Sequence, residues 1–208
     1  SIQLLSEMQL QGNPPDIYTN NLFVERVIEP EAFDHRVLGK AMTLVMKLNL
    51  VKKARIMHAI GEEYGVDNIV CSYKCWSSKR LSRWSIVPER KKSDYLVRYL
   101  VIAATTGALA KVYWGPLICN RDGLIDDGST SYPAIDNVTF YKQVSGDLTN
   151  FKVREAFYAY ANVIKLLSGA KCVQAINADN GIHHFIFETK SHKQLHIIWT
   201  RDRGCIEA

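Results

Sequence analysis

The sequence predicts an α/β fold in which strands alternate with long amphipathic helices before a short all-β tail. Two observations carry this. Apolar residues recur at helical spacing in three long segments separated by compact β-rich runs, and beyond Gly169 the apolar period changes to two. The expected organisation is residues 1–170 as the strand-and-helix part, with residues 171–208 as a C-terminal β extension packed on it.

The elements follow in order. Gly12 to Pro15 is strong punctuation, and Asp16 to Arg26, DIYTNNLFVER, supplies the first strand candidate. From about Leu38 to Tyr64 the pattern is that of a long helix, with Leu44, Leu48 and Val51 on one stripe and Ile56 and Ile60 on a slightly rotated one. Gly65 is a natural stop. Asn68 to Trp76, NIVCSYKCW, is a compact strand candidate. Ser93 reads as the cap of a helix through about Thr106, with Tyr95 or Leu96, Tyr99 or Leu100 and Ala103 on its apolar side and Gly107 closing it. KVYWGPLI, Lys111 to Ile118, is again strand-like, and its low charge suits a strand covered on both faces. Cys119 to Asn150 reads as a long excursion over one end of the sheet, with Val138 to Lys142 locally ordered. A third helix is expected over Val153 to Leu167, with Phe157, Tyr160 or Ala161, Ile164 and Leu167 facing inward and Gly169 ending it. Cys172 to Ile176, Ile182 to Thr189 and Gln194 to Thr200 then read as short antiparallel strands, Asn180 and Gly181 being a hairpin signal.

Composition bounds the class. The chain has 208 residues, 47% hydrophobic and 23% charged, enough for a full core in one domain or one and a half. The longest apolar stretch, around Leu100 to Ala110, is interrupted by Thr and Gly and bounded by Arg98 and Lys111, so no membrane span is expected. The opening SIQLLSEMQLQGNPP shows no signal-peptide pattern. Five cysteines, Cys71, Cys75, Cys119, Cys172 and Cys205, cannot all pair within one chain, which fits a reducing compartment; a soluble, cytoplasmic protein is the expectation. Cys71 and Cys75 would lie on one strand face but about 13 Å apart, which favours ordinary buried thiols over a shared metal.

The formal charge of +5 permits anionic partners. Much of the excess lies in KRLSRWSIVPERKK, Lys79 to Lys92, which reads first as a solvated loop and second as a contact for an anionic saccharide or phosphate. Nucleic acid is not expected, since no helix-turn-helix, zinc-finger or ribonucleoprotein motif accompanies the run.

Three successive strand-then-helix units imply right-handed crossovers and a parallel sheet covered by helices. The series DIYTNNLFVE, NIVCSYKCWSS, KVYWGPLI, a glycine-rich loop and REAFYAYANVIKLLSGA resembles the C-terminal half of the (β/α)8 barrels of retaining glycoside hydrolases. Within that class it is most similar to the cellulase and xylosidase superfamily, including relatives associated with bacterial surface polysaccharides or lipopolysaccharide. The resemblance spans about residues 16–200 and implies a partial TIM-barrel-like architecture, completed by a second chain or a further N-terminal region. It implies that Tyr18, Asn20 and Asn21 close the sixth strand, that the seventh ends near Trp76, and that Tyr113 and Trp114 form an aromatic platform after the eighth. VCSYKCW lacks the nucleophilic carboxylate that such a seventh strand carries.

Chemistry is assigned accordingly. Glycoside hydrolysis needs two converging carboxyl groups. Glu25 is the candidate acid-base, against the plainer reading of a surface or salt-bridged acid, with Glu29, Glu31 and Asp34 nearby. Asp126 and Asp127 form a like-charged pair, against the reading of solvated loop acids. Trp76, Tyr113 and Trp114 are candidates for stacking on sugar faces, with core packing an equal alternative, and Lys74 and Arg121 for neutralising an acidic sugar or phosphate. His183 and His184 lie on opposite strand faces, and with His192 and His196 they lack the spacing of a zinc cluster. No cofactor is expected: there is no GxGxxG fingerprint and no phosphate-binding P-loop, and Ser168 sits in LLSGA rather than a nucleophile elbow. The expected function is a glycoside-hydrolase-like protein acting on a bacterial polysaccharide or lipopolysaccharide-related glycan. A noncatalytic carbohydrate-binding or assembly module is the alternative, and an unrelated α/β structural domain the third reading.

Overall fold

A computed structural model describes residues 2–20, 29–33, 42, 45–74, 76–120, 122–128, 148–177 and 181–200. The chain divides into two compact units, residues 1–161 and 162–208. In the first, helix α1 (Ile2–Leu10) precedes strand β1 (Ile17–Asn20), helix α2 (Leu50–Glu63), strand β2 (Asn68–Lys74), short helix α3 (Ser78–Leu81), helix α4 (Pro88–Thr105) and strand β3 (Lys111–Trp114). Strands β4 (Ile125–Asp126) and β5 (Lys152–Val153) follow, then helix α5 (Glu155–Leu167), which runs on into the second unit. The second unit also holds β6 (Lys171–Asn177), β7 (Ile182–Glu188) and β8 (Gln194–Thr200).

The expected strand-then-helix order holds: β1, β2 and β3 are parallel neighbours in chain order, with Ile17 beside Asn68 and Val70 beside Lys111. The half-barrel is corrected. Among the described residues this sheet has three strands, the other two sheets are small and antiparallel, and none closes on itself. Eight tilted strands are needed to close such a barrel, and helical and strand periodicity is the same for an open sheet.

The expected Leu38–Tyr64 helix is interrupted: Met42, Val45 and Met46 are helical among the described residues, and α2 begins anew at Leu50. Lys47 adopts a left-handed φ of 45°, and Asn49 caps the helix by accepting a hydrogen bond from the Lys52 N–H at 3.0 Å. Its buried face is Leu50, Ala54, Met57 and Gly61 rather than the Val51, Ile56 and Ile60 stripes, and Ile56 is exposed. Small residues decide the face. A Cβ at Gly61 would strike the Ile69 side chain and lie 2.6 Å from the Val66 carbonyl, so only glycine lets this turn approach β2. Gly65, at φ +74°, ends the helix as expected.

Helix α4 starts earlier than Ser93. Pro88 occupies its first turn, where the missing N–H costs nothing, and Ser93 Oγ instead donates back to the Glu89 carbonyl at 3.0 Å. The inward face of Tyr95, Leu96, Tyr99, Leu100 and Ala103 is buried as expected, and Gly107 (φ +63°) closes the helix. The basic run is therefore only partly a loop. Lys79 and Arg80 lie in α3, Trp84, Ile86 and Val87 are exposed between the helices, and Lys92 is fully buried within α4.

KVYWGPLI gives a strand of only four residues, and Lys111 and Tyr113 are exposed. That corrects the strand covered on both faces. In α5, Ala156 and Val163 are buried while Tyr158, Ile164 and Leu166 are exposed, so the expected stripe is rotated by one position. FYAYANVIKLL is apolar nearly all round, and such a pattern does not select a face. Gly169, at φ +69°, ends it as expected.

The second unit is the antiparallel sheet expected from the period of two, in the order β6, β7, β8. Phe185 and Phe187 are buried on one side, with Trp199 stacked on Phe185 at 4.9 Å between ring centroids. The turn into β8 places His192 at φ +58°. The locally ordered stretch expected at Val138 to Lys142 and the Asn180 position of the hairpin signal lie outside the described residues.

Candidate functional site

In parallel α/β sheets ligands meet the carboxyl ends of the strands, so those ends are the place to look. Trp76, two residues beyond β2, has no exposed surface. Its ring stacks on Trp114 at 5.8 Å with planes 24° apart, while Tyr95 and Tyr99 meet it edge-on at 5.7 and 5.8 Å. The Tyr99 hydroxyl lies 3.0 Å from Cys71 Sγ. Burial, with Cys71 adding to it, holds the Tyr99 phenol well above its ordinary range. This is dry aromatic packing. Trp114 is half-buried, and its indole N–H is buried without an acceptor among the described residues.

The segment after β3 is fixed by buried cations. Lys92 reaches from α4 to donate to the Asp122 and Gly123 carbonyls at 3.1 and 2.5 Å. Gly123 sits in a tight loop where a Cβ would lie 2.7 Å from the Cys119 carbonyl and 2.8 Å from that of Ile125. Arg154 completes the clamp: it pairs with Glu89, donates to the Asn120 carbonyl at 2.5 Å and to Asp126 Oδ2 at 2.8 Å. Glu31, eleven positions beyond the end of β1, is gripped by Arg98 through hydrogen bonds of 2.7 and 2.6 Å.

These contacts decide what the acids can do. Asp126 is held by Arg154 and also accepts from the Gly128 N–H at 3.0 Å, so it already carries a cationic partner. Asp127 is half-buried beside it. Glu25, Asn21 and Arg121 lie outside the described residues, as do the side chains of Asn20 and Lys74, whose backbones end β1 and β2. Tyr18, half-buried on β1, pairs in register with Ile69 and so shares the face against which α2 packs. Of the expected residues, the structure brings together Trp76 and Trp114.

Alternation places Tyr113 and Lys111 on the opposite face. Ile69 and Cys71 point toward the helices, so Ile17, Thr19, Val70, Lys111 and Tyr113 share the other side. Val70 is buried, whereas Ile17 and Tyr113 are 52% and 50% exposed and Thr19 and Lys111 are also exposed. Lys111 and Tyr113 thus share one face of an edge strand, with their Cα atoms about 7 Å apart.

No protein-family model, no curated protein and no solved structure matches the chain. Together with the open sheet, this overturns the expected membership in the glycoside hydrolases and the link to bacterial lipopolysaccharide. Among the described residues no three His, Cys, Asp or Glu side chains gather as a metal-binding group, and no helix is long and apolar enough to cross a membrane.

Several residues of this region escaped the sequence reading. Lys92 had a signal: it stands three, four and seven positions before Tyr95, Leu96 and Tyr99, on the stripe that faces inward once the helix begins at Pro88. Lys111 had one too, as the alternate partner of Tyr113 on its strand. The pairing of Glu31 with Arg98, 67 positions apart, had none.

Proposed function

We propose that the first unit is a noncatalytic binding module for an acidic carbohydrate, which stacks on Tyr113 and places its negative groups against Lys111. The observation that carries this reading is the half-exposed Tyr113 ring with Lys111 on the sheet face opposite the helices. Parallel sheets are ordinarily covered on both faces, so exposed apolar and aromatic groups there suit an occupant. A phenol face packs against the C–H face of a sugar ring, and an exposed ammonium answers a carboxylate or sulfate. The ion pairing of Asp126 with Arg154 and of Glu31 with Arg98 favours binding over bond cleavage, since each carboxylate is engaged by a guanidinium.

The test is titration of the intact chain with polygalacturonate and with an uncharged glucan, followed calorimetrically. Tyr113→Ala weakens binding of the acidic polymer by roughly three- to tenfold, and Lys111→Gln removes most of its salt dependence. Reducing ends do not accumulate. Absence of binding to either polymer, equal affinity for Tyr113→Ala and the parent, or steady release of reducing ends overturns the reading.

A further inference from the structure

We propose that His184 and His196 form a two-histidine site for a divalent transition-metal ion, with copper(II) preferred over zinc. The site lies in the second unit and is independent of the carbohydrate reading. His184 on β7 pairs in register with Ile198, and His196 on β8 with Ile186, so the two histidines are diagonal neighbours on one face. Alternation puts that face opposite Phe185 and Phe187. His183 is on the other side, stacked on Trp199 at 5.6 Å.

The ring nitrogens already face each other. His184 Nε2 and His196 Nδ1 are 2.9 Å apart, with ring centroids at 5.2 Å and planes 32° apart. Gln194 sets the tautomer. Its carboxamide oxygen lies 3.3 Å from His196 Nε2, and because that oxygen only accepts, Nε2 carries the proton and Nδ1 presents its lone pair to His184. Without metal, His184 Nε2–H donates to it. Moving that proton to Nδ1 of the same ring frees a second lone pair, so two neutral imidazoles can bind an ion with no net release of protons.

Ligand type ranks the ions, and the spacing permits either. With metal–nitrogen bonds of about 2.0 Å, two ligands at a right angle stand roughly 2.8 Å apart, and at the tetrahedral angle roughly 3.3 Å. The observed 2.9 Å is a hydrogen-bonded separation close to both spacings, so the preference for copper(II) over zinc rests on the Irving–Williams order for imidazole ligands. Binding turns each lone pair from the opposite ring toward a common point, roughly 45° off the line joining the two nitrogens. Water completes the coordination, and Gln194 acts as a positioning residue that holds His196 in its tautomer.

Copper(II) and zinc(II) salts are titrated into the full chain, with calorimetry for stoichiometry and electron paramagnetic resonance for the copper ligands. One copper per chain is expected, with hyperfine structure from two imidazole nitrogens, and zinc binds more weakly. His184→Gln and His196→Gln each abolish the stoichiometric signal while the far-ultraviolet dichroism stays that of the parent. Gln194→Leu weakens binding by about tenfold. His192→Gln, in the adjoining turn, changes nothing. Lack of a stoichiometric site, its survival in either histidine variant, its loss in His192→Gln, or tighter binding of zinc than copper overturns the assignment.

Discussion

The Arg98 and Glu31 side chains are only 7% and 5% exposed, yet both are charged and joined by two hydrogen bonds. At such burial, desolvation largely cancels the attraction, so the pair contributes little net stability when intact but is costly to break. Glu31→Ala leaves the guanidinium buried without this partner and is expected to lower unfolding stability by about 3–5 kcal/mol. The double variant Glu31→Leu with Arg98→Met recovers most of that loss, and urea unfolding of the three proteins checks both statements. A similar loss in the double variant would show that the contact fixes the segment around Glu31 in a way that apolar packing cannot. Nothing local in the sequence joins these residues, because pairing across 67 positions is set by the fold rather than by spacing. The histidine pair is similar: His184 and His196 are twelve positions apart and meet only because the turn between β7 and β8 fixes the register.

At the level of elements, periodicity identified the longer helices and strands, missed α1 and α3, and chose faces poorly. In α4 the expected face is buried, and Val101 and Ile102 outside it are buried as well, so the helix is enclosed nearly all round. In α2 and α5 alanine and glycine mark the close contacts while bulkier residues face water, a preference that a count of apolar side chains inverts. Lys92 shows what a buried charge does for an element. Its ammonium closes the loop after β3 by donating to two carbonyls, and charge-assisted bonds of this kind contribute about 1.5–3 kcal/mol each. Lys92→Met keeps the aliphatic stem and removes both donors. The expected result is faster amide exchange at Leu124 and Ile125, whose N–H groups donate to the Leu117 carbonyl, with little change in α2. Uniform acceleration across the unit would instead place Lys92 in the global core. The site was only partly legible for the same reason: Tyr113, Trp114 and Trp76 were visible as aromatics at strand ends, but which of them meets water depends on pleat and on the packing of α4.

For the whole molecule, the order of parallel strands was legible because strand-helix-strand repeats admit few connections, while closure was not, since nothing local encodes how many strands surround a core. The aromatic cluster beneath β2 and β3 gives a global readout. Tyr99 ionises in the unfolded chain at about pH 10, and burial keeps it protonated to higher pH in the fold. Above about pH 10 the unfolded state therefore holds fewer protons than the native one, and stability present below that point falls as pH rises. Tyr99→Phe removes this contribution, so urea midpoints at neutral and alkaline pH should converge more closely in the variant than in the parent. Equal alkaline losses in both proteins would assign the effect to other tyrosines.

The outer edge of β3 has a consequence beyond ligand contact. Among the described residues no strand pairs with it, and a row of backbone donors and acceptors without a partner strand is a template on which a second polypeptide can crystallise its own backbone. Lys111, exposed at the start of that row, makes each new copy bring like charge against like. The same ammonium that would attract an acidic polymer thus acts as a gatekeeper against fibrous self-association.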